Sequence, residues 1–406
     1  MAKVIPFKAV RPVRNKVHLI SSRPYFTYKK SVLKAKLESN PFSFLHVINP
    51  EFKKENKTKP NTTERFKVVA DEYIKFKNKN YFIQDKTPCF YLYRQSTNNG
   101  IFTGIIAGAA VEDYSKNKIK KHENTIIERE KLFEKYLDVC NFHAEPVLLA
   151  YNQTENIKTL SEKISKKRPE YEFTTHDEKN HELWVINDPN IINDISNEFK
   201  LINDIYIADG HHRAASSFLF NKHNKKNKLS HYFLAFFIDK KDLKIFEFNR
   251  FINDISPLNS YKLIDLIKEK FTICELGLKY KPPSNKKEIS IYIDNKWYLL
   301  KVKSHVIKRL NFKQQLNSQI VSDLILEPIL KIKDLRADER VEFISGEQPI
   351  QKIKQKVKST PNSLAICLYP HDVEEIIKIA DLSETMPPKS TWIEPKLRSA
   401  VTIYEY

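Results

Sequence analysis

The chain has 406 residues, of which 41% are hydrophobic and 12% aromatic. This composition excludes a disordered chain and is typical of a globular protein with two or three domains, or of one large α/β domain with additions. The formal net charge is +19. The excess of lysine is spread from end to end, without an arginine-rich arm or a zinc finger, so we expect anionic ligands such as nucleotides but no nucleic-acid partner.

The apolar runs of the sequence are short. None approaches the roughly 20 residues that a membrane span needs, and the stretch 1–7 lacks the apolar core of a signal peptide. Cys89, Cys140, Cys274 and Cys367 are scattered, a pattern that fits neither a zinc site nor a disulfide framework. We therefore expect a cytoplasmic protein without a membrane partner.

Helical and strand patterns alternate along the first half of the chain. Asn98-Asn99-Gly100 is typical of a hairpin turn between two of the strands. The predicted helices cover 32–39, 64–78, 124–138, 157–167 and 189–199. The predicted strands cover 89–95, 101–111, 147–151, 171–175 and 182–186.

The second half is predicted to contain two hairpins, one of 231–239 with 243–248 and one of 289–293 with 296–302. Predicted helices cover 261–271, 317–330, 350–357 and 373–379, with strands at 365–368 and 401–404. The fold class is therefore α+β, with mixed, hairpin-rich sheets and flanking helices. The stretch 279–287 is the nearest to a linker, so we expect a main α+β region over 1–278 and a C-terminal α+β region over 279–406 that packs against it.

The sequence Asp209-Gly210-His211-His212-Arg213, here called the box, follows an apolar strand at 205–208 and precedes a helix. Gly210 permits a tight turn and a close ligand approach. A helix N-terminus with Arg213 beside it binds phosphate or carboxylate well. Asp209 could hold Mg²⁺ or accept a proton. The alternative interpretation is that Asp209 caps the helix and the histidines are merely half-buried.

A second group of polar residues, His122 and Glu123, stands before a predicted helix. Glu123 is a candidate general base, and His122 could contact phosphate. The alternative is a solvated helix N-terminus, in which the acid complements the helix dipole.

Two further stretches are candidates for substrate binding. Arg94 ends a strand and could reach a ligand carboxylate, or it could be an ordinary edge-strand arginine. Two prolines stiffen the chain before Lys389, Ser390 and Thr391. These residues could close over a phosphate or carboxylate, or form a rigid turn. No glycine-rich loop precedes them, so the pattern is not that of a P-loop.

The stretch 206–213 resembles the signature of a prokaryotic family known as domain of unknown function 1015. Stretches at 5–12, 92–94, 122–125, 343–346 and 386–392 match the same family, so the resemblance covers nearly the whole chain. The sequence departs from the family at Ala400, where glycine is usual, and at Asn124, where arginine is frequent.

The box is also similar to that of SerK-type free serine kinases, which belong to the ParB/sulfiredoxin-like superfamily. The resemblance implies a ParB/sulfiredoxin-like nucleotide-binding core with additional elements. It implies a phosphotransferase that uses Mg²⁺ and either ADP or ATP. The acceptor would be free L-serine or a similar hydroxy amino acid, and the reaction could run in both directions. Asp209 matches the acid of the box. The phosphate-binding part is matched by Gly210, His211, His212 and Arg213.

The second catalytic acid of those kinases has no clear match in this sequence. Glu123 is the first candidate and Glu38 the second. The alternative function is a ParB-like nucleotide-dependent switch or a nucleic-acid-binding protein without kinase activity. This ParB-like alternative needs a helix-turn-helix segment after the box, whereas the stretch 223–228 leads into a predicted strand. A catalytically idle scaffold is the other alternative.

Overall fold

The computed structural model describes residues 2–53 and 57–406, without the side chain of Phe26. Two compact units are present. The first contains Met1–Lys121, Thr125–Lys244 and Pro395–Tyr406, and the second contains His122–Asn124 and Ile245–Glu394. These units divide the chain between Lys244 and Ile245, a different place from the boundary between 278 and 279 expected from the sequence.

The first unit is built on a nine-stranded mixed sheet in the order β6-β11-β8-β12-β5-β4-β10-β9, with β1 also paired to β5. Its strands are β1 (Val4–Ile5), β4 (Phe90–Thr97), β5 (Gly100–Ala110), β6 (Ile119–Lys120), β8 (Val147–Tyr151), β9 (Tyr171–Thr174), β10 (Asn180–Ile186), β11 (Ile205–Asp209) and β12 (Tyr232–Asp239). Four short strands form two small ribbons, β2 (Val10–Pro12) with β3 (Phe82–Gln84), and β7 (Phe142–His143) with β20 (Tyr404–Glu405).

Helices flank this sheet, which makes the unit α+β as the sequence predicts. They are α1 (Val17–Ile20), α2 (Lys30–Ser39), α3 (Leu45–Ile48), α4 (Thr63–Asn78), α5 (Val111–Ser115), α6 (Ile127–Cys140), α7 (Glu155–Ser165), α8 (Pro189–Lys200) and α9 (His211–His223). Successive residues of a strand face opposite sides of a sheet, so that every second residue shares a face. One face therefore carries a fully apolar core that includes Leu92, Leu149, Ile207 and Phe237.

The second unit is built on a seven-stranded sheet in the order β14-β16-β15-β18-β13-β17, with β19 paired to β13. Its strands are β13 (Lys244–Ile252), β14 (Phe271–Gly277), β15 (Glu288–Ile293), β16 (Lys296–Val302), β17 (Val341–Ser345), β18 (Leu364–Cys367) and β19 (Thr391–Glu394). Its helices are α10 (Ser260–Lys268), α11 (Ser304–Ile307), α12 (Asn317–Val321), α13 (Ile350–Ser359) and α14 (Val373–Asp381).

The hairpin predicted from 231–239 and 243–248 is wrong. The strands exist, but β12 pairs with β5 and β8, whereas β13 pairs with β17 and β18 in the other sheet. Because β5 and β8 occupy both edges of β12, the next strand has no edge left to join. The second predicted hairpin is confirmed, since β15 pairs with β16 around Asp294 and Asn295, both of which have positive φ.

Three of the predicted helices differ most from their predicted bounds. α6 begins at Ile127 rather than near 124. α10 ends at Lys268, because the chain turns into β14 at Phe271. α12 ends at Val321 and continues as a π-helical turn over Ser322–Leu326. In the described ranges, no helix combines the length and apolar character that crossing a membrane requires.

Candidate functional site

The box folds as a tight corner between β11 and α9. β11 ends at Asp209 and α9 begins at His211. Gly210 lies between them as the N-cap residue with φ of +97°, a left-handed conformation that glycine adopts at little steric cost. As a glycine, this N-cap residue has no side chain that could cap the helix. The N-cap residue of α9 is thus Gly210 and not Asp209.

A β-bulge directs the side chain of Asp209. The register of β11 against β8 shifts between Ile207 and Asp209, so that Asp209 pairs with Leu148. Without the shift, strand alternation would place Asp209 on the same apolar face as Ile205 and Ile207. A bulge turns a side chain away from its regular direction, and here it keeps the carboxylate out of the core.

Two cations hold the carboxylate of Asp209. Lys396 Nζ lies 3.3 Å and Arg213 Nη2 lies 3.7 Å from the same oxygen, Oδ2. Within the described part of the chain, Oδ1 has neither an ion-pair nor a hydrogen-bonding partner. Burial acts to raise the pKa of Asp209, but the charges of Lys396 and Arg213 outweigh it and hold the pKa well below its usual range. The side chain is still 42% exposed, so a ligand can reach an ionised oxygen.

Arg213 is anchored by backbone carbonyls as well as by Asp209. Its Nη1 donates to the carbonyl oxygen of Glu145 at 3.1 Å and to that of Pro146. Glu145 in turn accepts a hydrogen bond of 2.8 Å from the hydroxyl of Ser399 through Oε1. These contacts fix the guanidinium in one orientation beside the start of α9.

The histidines near the corner have different environments. His211 is buried, whereas His212 is half-buried and its Nε2 accepts a hydrogen bond of 3.1 Å from the N–H of Ile126. His143 is buried, and burial followed by the charge of Arg213 lowers its pKa to about 3. His143 is therefore neutral at physiological pH and adds no charge to the corner.

The other predicted site residues include several in the second unit. His122 is buried, and its carbonyl accepts a hydrogen bond of 2.9 Å from the N–H of Met386. Glu123 is half-buried and follows His122 directly. These residues belong to a different compact unit from the box.

The segment with Lys389, Ser390 and Thr391 forms a turn in the second unit. Lys389 has φ of +53° and its Nζ lies 5.8 Å from the ring centre of Phe248. Ser390 is buried and its hydroxyl donates to the carbonyl of Pro387 at 2.7 Å. Thr391 begins β19. Ser390 thus stabilises the turn itself, as the rigid-turn interpretation expects.

Arg94 lies on the apolar face of the first sheet. Its Nη1 lies 3.5 Å from Glu182 Oε2, its Nε donates to Thr103 Oγ1, and its guanidinium stacks 5.1 Å from the ring of Trp184. Glu182 is its cross-strand partner in β10. β4 is paired on both sides, by β5 and β10, so Arg94 is not the edge-strand arginine of the alternative. Binding of a substrate by Arg94 stays a prediction.

Lys396 is a site residue that its sequence context does not indicate. This residue lies in Pro395–Tyr406, the final segment, which returns to the first unit after the chain has formed the second. The local signal is a pair of cations, Lys396 and Arg398, directly after Pro395. Nothing in that short pattern indicates a contact with Asp209, because the contact depends on the chain returning to the first sheet.

A cavity of about 290 Å³ is also present in the first unit, lined in part by Lys167, Glu170 and Trp184. None of the box residues lines it. Some of its polar groups already have partners, since Trp184 Nε1 donates to the carbonyl of Lys167 at 2.7 Å and Glu170 pairs with Arg14 at 2.6 Å. We therefore place the candidate site at the box rather than at this cavity.

Comparison with protein families gives one match over most of the chain. The family described as Protein of unknown function (DUF1015) matches residues 4–326. No curated protein matches this chain.

Several solved structures are similar at low identity. Truncated SbnI from Staphylococcus aureus is 12% identical with a TM-score of 0.38, covering 71% of this chain and 82% of that chain. A mutant free serine kinase in complex with AMP is 13% identical with a TM-score of 0.38, covering 73% of this chain and 92% of that chain. A conserved hypothetical protein from Pyrococcus furiosus is 14% identical with a TM-score of 0.34, covering 72% of this chain and 90% of that chain. At these values the function has to be argued from the residues of this chain.

Proposed function

This chain belongs to the family described as Protein of unknown function (DUF1015), and we propose that it is a small-molecule phosphotransferase. The proposed reaction moves a phosphoryl group from ADP or ATP to free L-serine and yields O-phospho-L-serine. One observation carries the proposal, namely the exposed carboxylate of Asp209 between Arg213 and Lys396 at the start of α9. We also propose that the first unit is a ParB/sulfiredoxin-like core, from the resemblance of the box.

The corner suits the phosphates of a nucleotide. The N-terminus of a helix carries a partial positive charge and N–H donors, and the N-cap residue of α9 is a glycine, which has no side chain that could cap the helix. Arg213 and Lys396 add two cations. When phosphate binds, these cations would neutralise its charge as well as that of Asp209. Gly210 lets the backbone approach the phosphate closely.

Asp209 fits a role as a ligand of Mg²⁺. Mg²⁺ in nucleotide sites commonly binds one or two carboxylates, with waters and phosphate oxygens completing its shell. Among the described residues no group of three His, Cys, Asp or Glu could hold a metal ion, so we expect the ion to arrive with the nucleotide. Asp209 offers the partnerless Oδ1 of an ionised carboxylate. When bound, Mg²⁺ would neutralise charge on the transferring group.

Asp209 is a poor candidate for the general base. A base works best when its pKa lies near the working pH, whereas the pKa of Asp209 is held well below its usual range. We therefore assign the role of base to another group, for which Glu123 stays the prediction from the sequence. The serine hydroxyl oxygen would form a bond to the terminal phosphorus while the bond from phosphorus to the bridging oxygen breaks. The hydroxyl proton would pass to that base, and the shortened nucleotide would leave. Arg213 would stabilise the charge of the transferring group.

The donor and the acceptor are tested together by ³¹P NMR. The protein is incubated with Mg²⁺, L-serine and either ATP or ADP, and separately with O-phosphoserine and either ADP or AMP. We expect O-phosphoserine with one donor, and activity reduced about 100-fold in Arg213→Lys, because lysine cannot form the same set of bonds as a guanidinium. Arg129→Gln changes an exposed arginine of α6 and is the matched control. Absence of product in both directions, with intact nucleotide, would contradict the proposed reaction.

A further inference from the structure

A second polar cluster lies in the first unit, outside the box. Tyr93 and Gln95 are alternate residues of β4 and so share a sheet face. His181 of β10 is the cross-strand partner of Gln95. All three residues are at most 2% exposed. The Tyr93 hydroxyl and His181 Nδ1 are 2.7 Å apart, within hydrogen-bonding distance.

Gln95 and His181 bury polar atoms that have no partner in the described chain. These atoms are the oxygen and the nitrogen of the Gln95 amide, and Nε2 of His181. Folded proteins pair the large majority of their buried polar atoms. Three such atoms on two adjacent side chains therefore indicate that something else binds here.

Two arginines belong to the same cluster. Arg398 is 6% exposed, its Nη2 donates to the carbonyl of Ser21 at 3.2 Å, and its Nη1 lies 3.7 Å from Asp177 Oδ1. The guanidinium of Arg23 stacks 4.7 Å from the ring centre of Tyr28. Each arginine buries an Nε that no described residue accepts. Two guanidinium N–H donors are thus left without acceptors.

The charges show that these groups lie close together. Burial and then the charge of Arg398 lower the pKa of His181 to about 3, so its ring is neutral. Burial lowers the pKa of Lys36, and the charges of Arg23 and Arg398 lower it further. Three cations thus approach one another, and in the described residues Asp177 is the carboxylate that faces them. The cluster has an excess of positive charge.

We propose that this cluster is a binding site for a small carboxylic acid that carries an adjacent amino or hydroxyl group. Arg23 and Arg398 bind the carboxylate, because a guanidinium matches the planar geometry of that group. Gln95 and His181 donate to or accept from the neighbouring amino or hydroxyl group. The bound anion offsets the excess positive charge. None of these residues belongs to the box, so the inference stands without the proposed phosphotransfer.

Binding of L-alanine to the full chain tests this site, because L-alanine has no hydroxyl that could accept a phosphoryl group. Isothermal titration without nucleotide is expected to show binding of L-alanine but not of alaninamide, which lacks the carboxylate. Arg23→Gln and Gln95→Leu are each expected to weaken binding at least about tenfold, since each removes a buried hydrogen bond to the ligand. Arg129→Gln, on an exposed arginine, is expected to bind as the wild type does.

Equal binding of alaninamide would overturn the carboxylate assignment. So would binding of inorganic phosphate that Arg23→Gln weakens, because phosphate bound at the box would not depend on Arg23. Absence of L-alanine binding to the wild type, or unchanged affinity in both variants, would overturn the site itself. Because Arg23 is half-buried and Gln95 lies in the core, circular dichroism of each variant accompanies the titration, and Arg23→Gln decides the result if Gln95→Leu does not fold.

Discussion

Lys396 Nζ lies 3.3 Å from Asp209 Oδ2, although 187 positions separate the two residues in the chain. The contact joins the final segment of the chain to the end of β11. It supplies the second cation at the corner, beside Arg213. An exposed carboxylate held by two cations at a helix N-terminus is the arrangement on which the proposed nucleotide site depends.

The change Lys396→Gln is expected to weaken nucleotide binding about tenfold. A charge-assisted hydrogen bond is worth about 1.5–3 kcal/mol, and the variant loses the one that Lys396 would give to a phosphate. The pKa of Asp209 is expected to rise toward its ordinary range, because one of its two cations is gone. Isothermal titration with ADP and ATP in the presence of Mg²⁺ measures the effect. Affinity equal to that of the wild type would remove Lys396 from the site.

The ion pairs of Asp209 predict how stability depends on pH. The pKa of Asp209 is lower in the folded protein than in the unfolded chain. The stability that its ion pairs contribute is therefore complete above the unfolded pKa of about 4, and it is lost as the pH falls toward the folded pKa. The free energy of unfolding of the wild type should therefore fall relative to that of Asp209→Asn as the pH decreases below about 4. Urea denaturation between pH 3 and pH 6 tests this, and parallel curves for the two proteins would contradict it.

Gly210→Ala is expected to reduce both stability and nucleotide binding. Gly210 has φ of +97°, and an added Cβ would lie 3.0 Å from the Arg213 guanidinium, so the substitution strains the backbone and displaces the cation. Gly277→Ala is the matched control, because Gly277 also has positive φ but an added Cβ there meets no atom within 4 Å. Both variants are expected to lose about 1 kcal/mol of stability. Titration with nucleotide should show weaker binding for Gly210→Ala alone, and equal affinities would mean that the corner tolerates a side chain.

His143 predicts a second pH dependence, at higher pH. Burial and the charge of Arg213 lower its folded pKa to about 3, whereas an unfolded histidine titrates near 6.5. The unfolded chain therefore binds a proton that the folded chain does not, and stability is lost as the pH falls from about 6.5 toward 3. The His143→Gln variant should lose less stability than the wild type over this pH range. Thermal unfolding at pH 7 and pH 5 measures it, and an equal shift in both proteins would rule out this role of His143.

The local parts of the fold could be predicted from the sequence. Asp294 and Asn295 mark the turn of a hairpin because both residues tolerate positive φ. The box was predicted as strand, turn and helix from an apolar run, a glycine and the residues that follow, and the structure has that corner. Each of these signals is contained within about ten residues.

Long-range relationships could not be predicted in the same way. The strands β12 and β13 are adjacent in sequence but belong to different sheets, because the edges of β12 are taken by strands that lie far from it along the chain. The contact of Lys396 with Asp209 likewise arises from the return of the final segment to the first unit. A local pattern carries no information on such pairings, which depend on the packing of the whole unit.

The most direct test of the proposed phosphotransfer is the formation of O-phosphoserine by the wild type and by Asp209→Asn. Mass spectrometry measures the product after incubation with Mg²⁺, L-serine and the nucleotide that supports turnover. We expect product from the wild type and a loss of at least about 100-fold in Asp209→Asn, with the folded state retained by circular dichroism. Turnover in Asp209→Asn equal to that of the wild type would contradict the assignment of the box as the phosphotransfer site.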